Sequence, residues 1–227
     1  MPDNYNKKIS VWLTPLADNE SELAGFSPLA YDVQILQPEA TVGDYLQALV
    51  DFQAETLADC KGCDGCCHER APLTIADWQL SQNQGAADDA AWVDWLQKWA
   101  ELHFYGQAID LTLPRTPDGA CRFLDEQQKC CTVHTQRSFT CRTHCCLPKT
   151  ERAEALRAAL INAGEDELVR RLLQIPPAAG QPWSDRLAGC KLEDYAPNAF
   201  SGLSSADWAQ ARLQDLLENE LWLELLR

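Results

Sequence analysis

The chain has 227 residues, 46% of them apolar, and carries a formal net charge of −15. That length allows one generous domain or two small ones, with a core that does not need disulfides to hold it. The acidic balance argues against nucleic acid, whose phosphates are met by clustered Lys and Arg, and against anionic membrane surfaces. No stretch approaches the roughly 20 apolar residues of a membrane span. Val11-Trp12-Leu13, closed by Pro15, is too brief for a signal peptide, so the expected location is the cytoplasm.

In chain order, residues 1–40 read as a lead-in with two strands. Ile9, Val11 and Leu13 alternate with other residues, as do Tyr31, Val33 and Ile35, which suits a small hairpin. From Thr41 the period becomes helical. Val42, Tyr45, Leu46, Leu49 and Val50 share a face, and Thr41 stands at the capping position. This helix is expected to stop near Cys60, because Gly62 and Gly65 disfavour its continuation.

Thr74 with Asp77 resembles a cap for a short helix through Leu80. Trp92, Trp95, Leu96, Trp99, Leu102 and His103 predict a tryptophan-rich helix whose stripe belongs to the core rather than to a ligand. Ile109, Leu111 and Leu113 alternate as a strand before Pro114. Cys121-Arg122-Phe123-Leu124 and Cys131-Thr132-Val133-His134 flank a polar stretch, as in a hairpin with cysteines on both arms. Helices are expected over 151–162, ending at Gly164, and over 165–174, ending before Pro176-Pro177. A last amphipathic helix should begin near Ser204, capped by Asp207, with Leu213, Leu216, Leu217, Leu221 and Leu225 docked on the core. The expected fold is a single domain, mainly α with a small β-hairpin, irregular and metal-stabilised. It divides into the lead-in 1–40, a cysteine-cluster domain 41–175, and a C-terminal linker and helical extension 176–227.

Cysteine usage carries the chemistry. There are 11 cysteines, and all but Cys190 fall in two tracts. In a reducing compartment such density points to metal ligation rather than to disulfides. The first tract, Cys60-Lys61-Gly62-Cys63-Asp64-Gly65-Cys66-Cys67-His68, spaces thiols so that neighbours can converge on one ion or cluster. Its glycines let the backbone turn around the centre. The C-x2-C-x2-C spacing is that of a ferredoxin-type run, but the next cysteine follows at once, so a further ligand must come from a distant segment. The second tract offers Cys121, Cys130, Cys131, Cys141, Cys145 and Cys146. Four ligands complete one tetrahedral zinc or one cubane cluster, and seven or eight allow two centres. Arg122, Lys129, Arg137, Arg142 and Lys149 outnumber Asp125 and Glu126 in this region. Such a basic island is expected to lower thiol pKa values and to offset thiolate charge.

These motifs, with Cys131-Thr132-Val133-His134-Thr135-Gln136-Arg137-Ser138-Phe139-Thr140-Cys141-Arg142, resemble the YkgJ family of CxxCxxCC proteins, which are described as zinc- or iron-chelating and often as iron–sulfur proteins. The likeness spans about residues 60–146. His134 stands where the family often has tyrosine, and Ser138 where it often has proline. The resemblance implies metal chelation through Cys60, Cys63, Cys66, Cys67, Cys121, Cys131 and Cys141, with Cys145 or Cys146 as an eighth ligand. Arg137 and Arg142 are candidates to hydrogen-bond cluster sulfurs. Cys130 and Cys190 read as ordinary thiols. His68, His134 and His144 read as neighbours that support ligands rather than ligate.

The expected cofactor is an iron–sulfur cluster, [4Fe–4S] in type, or zinc, and the expected partner is a protein or redox partner of unknown identity. The leading function is redox or electron transfer. The alternatives are a structural zinc module that presents its helices to a partner, a cluster-dependent enzyme similar to flagellin lysine N-methylases, and a reactive-thiol enzyme using the vicinal cysteine pairs. No phosphate-cradling glycine loop, H-E-x-x-H motif or identifiable triad supports a specific enzyme. Cys63→Ser is predicted to lower metal content and destabilise the middle of the chain, whereas Cys190→Ser is mild. Elemental analysis of the two purified variants checks this.

Overall fold

The computed structural model describes residues 7–16, 29–57, 62–81, 89–176, 183–203 and 207–227. Strands β1 (Ile9–Pro15) and β2 (Leu29–Ile35) are followed by helix α1 (Val42–Thr56), 3₁₀ turns at Gly65–His68 and Ile75–Ser81, and helix α2 (Asp89–Trp99). Strands β3 (Glu101–Tyr105), β4 (Ala108–Thr112), β5 (Leu124–Asp125) and β6 (Cys130–Cys131) come next. Helices α3 (Phe139–Arg142), α4 (Glu151–Gln174), α5 (Ser184–Leu187) and α6 (Asn219–Leu225) complete the described α-helices, and further 3₁₀ turns lie at His134–Gln136, Leu192–Asp194, Trp208–Gln210 and Leu213–Asp215. The strands form three two-stranded antiparallel sheets, β1–β2, β3–β4 and β5–β6. The protein is therefore mainly α with small hairpins. No helix among the described residues is long and apolar enough to cross a membrane.

The chain divides into two compact units. The first takes residues 1–59, 143–160 and 207–227, and the second takes 60–142 and 161–206.

In the first unit β1 and β2 pair with Ile9 opposite Ile35, Val11 opposite Val33 and Leu13 opposite Tyr31, as the alternation predicts. Thr41 and Asp44 make a full capping box at the start of α1. The Thr41 hydroxyl accepts from the Asp44 N–H, and the Asp44 carboxylate accepts from the Thr41 N–H at 2.8 Å. The helix buries Val42, Tyr45, Leu46, Leu49 and Phe52 and ends at Thr56, a little before the position expected from the glycines. Asp32 is the polar anchor of this unit. It accepts from the Thr150 hydroxyl at 2.8 Å and from the Arg152 guanidinium at 2.5 Å. Burial raises its pKa, but these donors together with the Val33 N–H outweigh burial and hold the carboxyl below its ordinary value.

Residues 207–227 depart from the single amphipathic helix predicted there. Trp208–Gln210 and Leu213–Asp215 are 3₁₀ turns, and only Asn219–Leu225 is α-helical. Ser204, the expected start, lies outside the described residues. The reason is tertiary. The Val42 N–H donates to the Ala211 carbonyl at 3.0 Å, and the Leu213 N–H donates to the Ala40 carbonyl at 2.9 Å. Those bonds hold the backbone extended beside the start of α1, as the Thr41–Arg212 bridge shows. The apolar side chains still dock, with Trp208, Leu213, Leu217, Trp222 and Leu225 buried.

The second unit has a core of Leu73, Trp78, Trp92, Trp95, Leu96, Leu111 and neighbours from the later half of α4. Trp78 and Trp92 stack at 4.2 Å, and Trp95 meets both edge-on. Leu102 and His103, predicted to continue the tryptophan helix, lie in β3 instead. The helix closes at Trp99, and the two-residue turn Gly106-Gln107 folds β3 back on β4, with Glu101 opposite Thr112 and Tyr105 opposite Ala108. Hairpin pairing wins there over a stripe that could be read either way.

The predicted break at Gly164 is absent. α4 runs unbroken from Glu151 to Gln174. Gly164 serves close approach, since a Cβ on it would stand 2.8 Å from Thr74 Cβ. Ala in place of Gly normally stabilises a helix interior by about 1 kcal/mol, whereas overpacking costs about 1–3 kcal/mol. Gly164→Ala is therefore predicted to lower stability rather than raise it, read as a lower urea midpoint with unchanged helix content.

Candidate metal centre

Glycine opens the first tract. Gly62 has φ +78°, a left-handed turn that L side chains adopt with strain, and its N–H donates to the Lys129 carbonyl at 3.1 Å. Lys129 also sits 3.4 Å from the Asp64 carboxylate. The chain then winds into the Gly65–His68 turn, which carries Cys66 and Cys67. The Cys67 carbonyl accepts from the Cys121 N–H at 2.7 Å, so the backbones of the two cysteine tracts are bonded to each other.

Cys121 precedes β5, outside the strands, bridging to Arg115. The hairpin behind it is narrow. Asp125 turns it by accepting from the Gln127 and Gln128 N–H groups, both at 2.9 Å, and β6 brings Cys131 opposite Leu124. Cys141 rides on α3, whose start is tied down by Asp77. One Asp77 oxygen accepts from the Phe139 N–H at 2.6 Å, and the other accepts from the Thr74 N–H and hydroxyl at 2.8 and 3.0 Å. The short helix of the first half and the cysteine turn of the second thus share one buried carboxyl. Burial pushes its pKa up to about 6 in spite of these donors.

The outcome is a cavity of about 120 Å³ lined by six cysteines, Cys63, Cys66, Cys67, Cys121, Cys131 and Cys141. These are six of the eight cysteines proposed as ligands, and they come from both tracts. Cys60 lies outside the described residues. Cys145 belongs to the first unit, is buried, and accepts a hydrogen bond from Gln53 Nε2 at 3.2 Å. Arg137 lines the cavity, whereas Arg142 is half-buried nearby, under the charges of Asp77 and Arg137. His134 also lines it. The described cysteines form no disulfide.

Sequence reasoning missed three parts of this site. Arg115 lines the cavity but belongs to no motif. Asp77 was legible as a cap but not as the residue that anchors the Cys141 turn. Trp95 and Trp99, assigned wholly to the core, also line the cavity, with Trp99 stacked on Phe123 at 5.6 Å.

The basic island does not lower the pKa values of Cys67, Cys131 and Cys141. Burial first, then the neighbouring Cys66, Cys121 and Cys131, push Cys67 up to about 12. Burial likewise pushes Cys141 up to about 11, and it raises Cys131 although Arg137 opposes the shift. Desolvation and mutual repulsion of the thiolates outweigh the cations. A polyvalent cation among the sulfurs reverses that balance, because it attracts every thiolate that the others repel. The donor set therefore fits a thiolate-bound metal centre. A second sign of fit is that the Nε atoms of Arg115 and Arg137 are buried with no hydrogen-bond acceptor among the described residues. Thiolate or sulfide sulfur would accept from them. Among the described residues, however, no three His, Cys, Asp or Glu side chains are grouped to hold a single ion.

Asp77→Ala removes the acceptor shared by Thr74 and Phe139 and leaves buried N–H groups unpaired, at about 1–3 kcal/mol for each. The predicted result is loss of stability together with reduced metal content, because Cys141 loses its anchor. Urea unfolding and metal analysis on the same preparation check both.

No curated protein and no solved structure matches the chain. One family model does, over residues 59–160, and its description is "CxxCxxCC: Putative zinc- or iron-chelating domain". That span contains every cysteine lining the cavity, together with Cys60 and Cys145. Residues 59–160 of this protein match the model of that CxxCxxCC domain, which supports a metal-binding role for its cysteine cluster.

Proposed function

We propose that the chain holds an iron–sulfur cluster of the [4Fe–4S] type and acts in one-electron redox chemistry. Four thiolates would come from Cys60, Cys63, Cys66, Cys67, Cys121, Cys131 and Cys141. Arg137 and Arg142 would donate to sulfur. A cubane takes four thiolates, so the proposal does not depend on Cys145.

The observation that supports this reading is the convergence of six cysteines from both tracts on one cavity. A lone zinc draws its thiolates to about 2.3 Å from itself, which crowds them against one another. Here six cysteines drawn from both tracts line one cavity of about 120 Å³. A space ringed by thiols suits a centre that has its own volume. Leu73, Leu113, Trp95 and Phe123 supply apolar wall, which limits water and tunes the potential of a bound cluster.

Protein purified without oxygen is expected to be brown, with broad absorption in the visible blue and about four iron and four sulfide per chain. A colourless protein with stoichiometric zinc overturns the proposal in favour of a structural zinc module. In that case chelator, but not redox reagents, unfolds the cysteine region.

A further inference from the structure

A patch of cations lies beside the cavity of this strongly acidic chain. Lys98 Nζ sits 5.0 Å from the ring centre of Trp99, and the Arg122 guanidinium sits 5.4 Å from Trp99 and 5.7 Å from Phe123. Trp99 and Phe123 are stacked on each other, and both line the cavity. Arg115 and Arg137 line it as well. Among the described residues none of these four cations is in an ion pair. Arg122 donates to the Lys98 carbonyl at 2.7 Å and Arg115 to the His68 carbonyl, so both spend their contacts on backbone. The acids lining the cavity are Glu69 and the buried Asp77. Lys98 and Arg122 are exposed, and so are Cys63, His134 and Gln136 of the lining, so the cavity wall reaches solvent.

Lys7, Arg186, Lys191, Arg212 and Arg227 are also exposed and in no ion pair among the described residues, but Lys98 and Arg122 stand together on one aromatic stack beside the cavity of a chain of net charge −15. Charge compensation of buried thiolates accounts for Arg115 and Arg137, whose Nε atoms are buried. It does not account for Lys98 and Arg122, which stand on the outer side of an aromatic pair. We infer that the Lys98–Arg122 face over the Trp99–Phe123 stack is a docking surface for an acidic face of a one-electron carrier protein. This inference rests on the redox function proposed above and names the kind of partner. Complementary charge guides such encounters against the repulsion of the whole molecule. A single electron passes between the two proteins, one oxidised and the other reduced, with no bond made or broken.

Two small redox probes of opposite charge test the surface. Reduced brown protein is mixed in a stopped-flow device with ferricyanide, an anion that takes one electron to become ferrocyanide, and separately with hexaammineruthenium(III), a cation. The net charge of −15 alone predicts that ferricyanide reacts faster as salt rises. The docking face predicts the opposite, with ferricyanide slowing and hexaammineruthenium(III) not slowing. The double variant Lys98→Gln/Arg122→Gln should slow the ferricyanide reaction at low salt by about tenfold and reverse its salt dependence, while its reduction potential stays close to that of the parent. Ferricyanide oxidation of the parent that accelerates with salt overturns the docking face. So does a variant whose rate changes only in step with a shifted potential, since the cations then act on the centre itself. Colourless, zinc-loaded protein overturns the redox reading, and this inference with it, before either probe is added.

Discussion

Sulfur crowded into a poorly solvated space is the constraint on which the second unit turns. Six cysteines line one cavity, and the thiols of Cys67, Cys131 and Cys141 are made harder to ionise by burial first and then by neighbouring thiols. Left to themselves such groups repel once charged. The backbone brings them together regardless, through the Cys67–Cys121 hydrogen bond, the Gly62–Lys129 bond and the Asp77 carboxyl shared between Thr74 and Phe139. The fold thus holds the cysteines together, where a bound cation would offset the repulsion of their thiolates. A metal bound there would couple its own binding to the integrity of this unit.

The cysteine pattern was legible because ligand spacing is a short-range property. Two residues between thiols already say that neighbouring sulfurs can point the same way. That the two tracts meet could be argued from the ligand count, and the Cys67–Cys121 bond bears it out. Local signals with one dominant reading also held. Thr41 and Asp44 form their capping box, and the alternation of Ile9, Val11 and Leu13 became a paired strand. The Thr74–Asp77 pair did form, although on a 3₁₀ turn.

What sequence could not show is what depends on distant contacts. Gly164 reads as a helix end until Thr74 is seen against it. Leu102 fits a helical stripe and a strand equally well, and only its pairing with Leu111 decides. The leucine repeat after Asp207 is a good helical pattern, broken by backbone bonds to Ala40 and Val42 from the other end of the chain. The charge of the second tract was read correctly, but its effect on the thiols was not, because a count of cations says nothing about desolvation. Arg115 left no trace at all in spacing or motif.

The first unit is assembled from residues 1–59, 143–160 and 207–227. Its hairpin and α1 are made early in translation, yet the segment that bonds to Ala40 and Val42 leaves the ribosome only after the whole cysteine region. During synthesis the apolar face of α1 therefore waits, partly uncovered, while the sulfur ligands of the second unit emerge. Vectorial growth then lets the cysteine region emerge before the hairpin of the first unit is sealed. In this protein the order in which residues are made is not the order in which its parts can close.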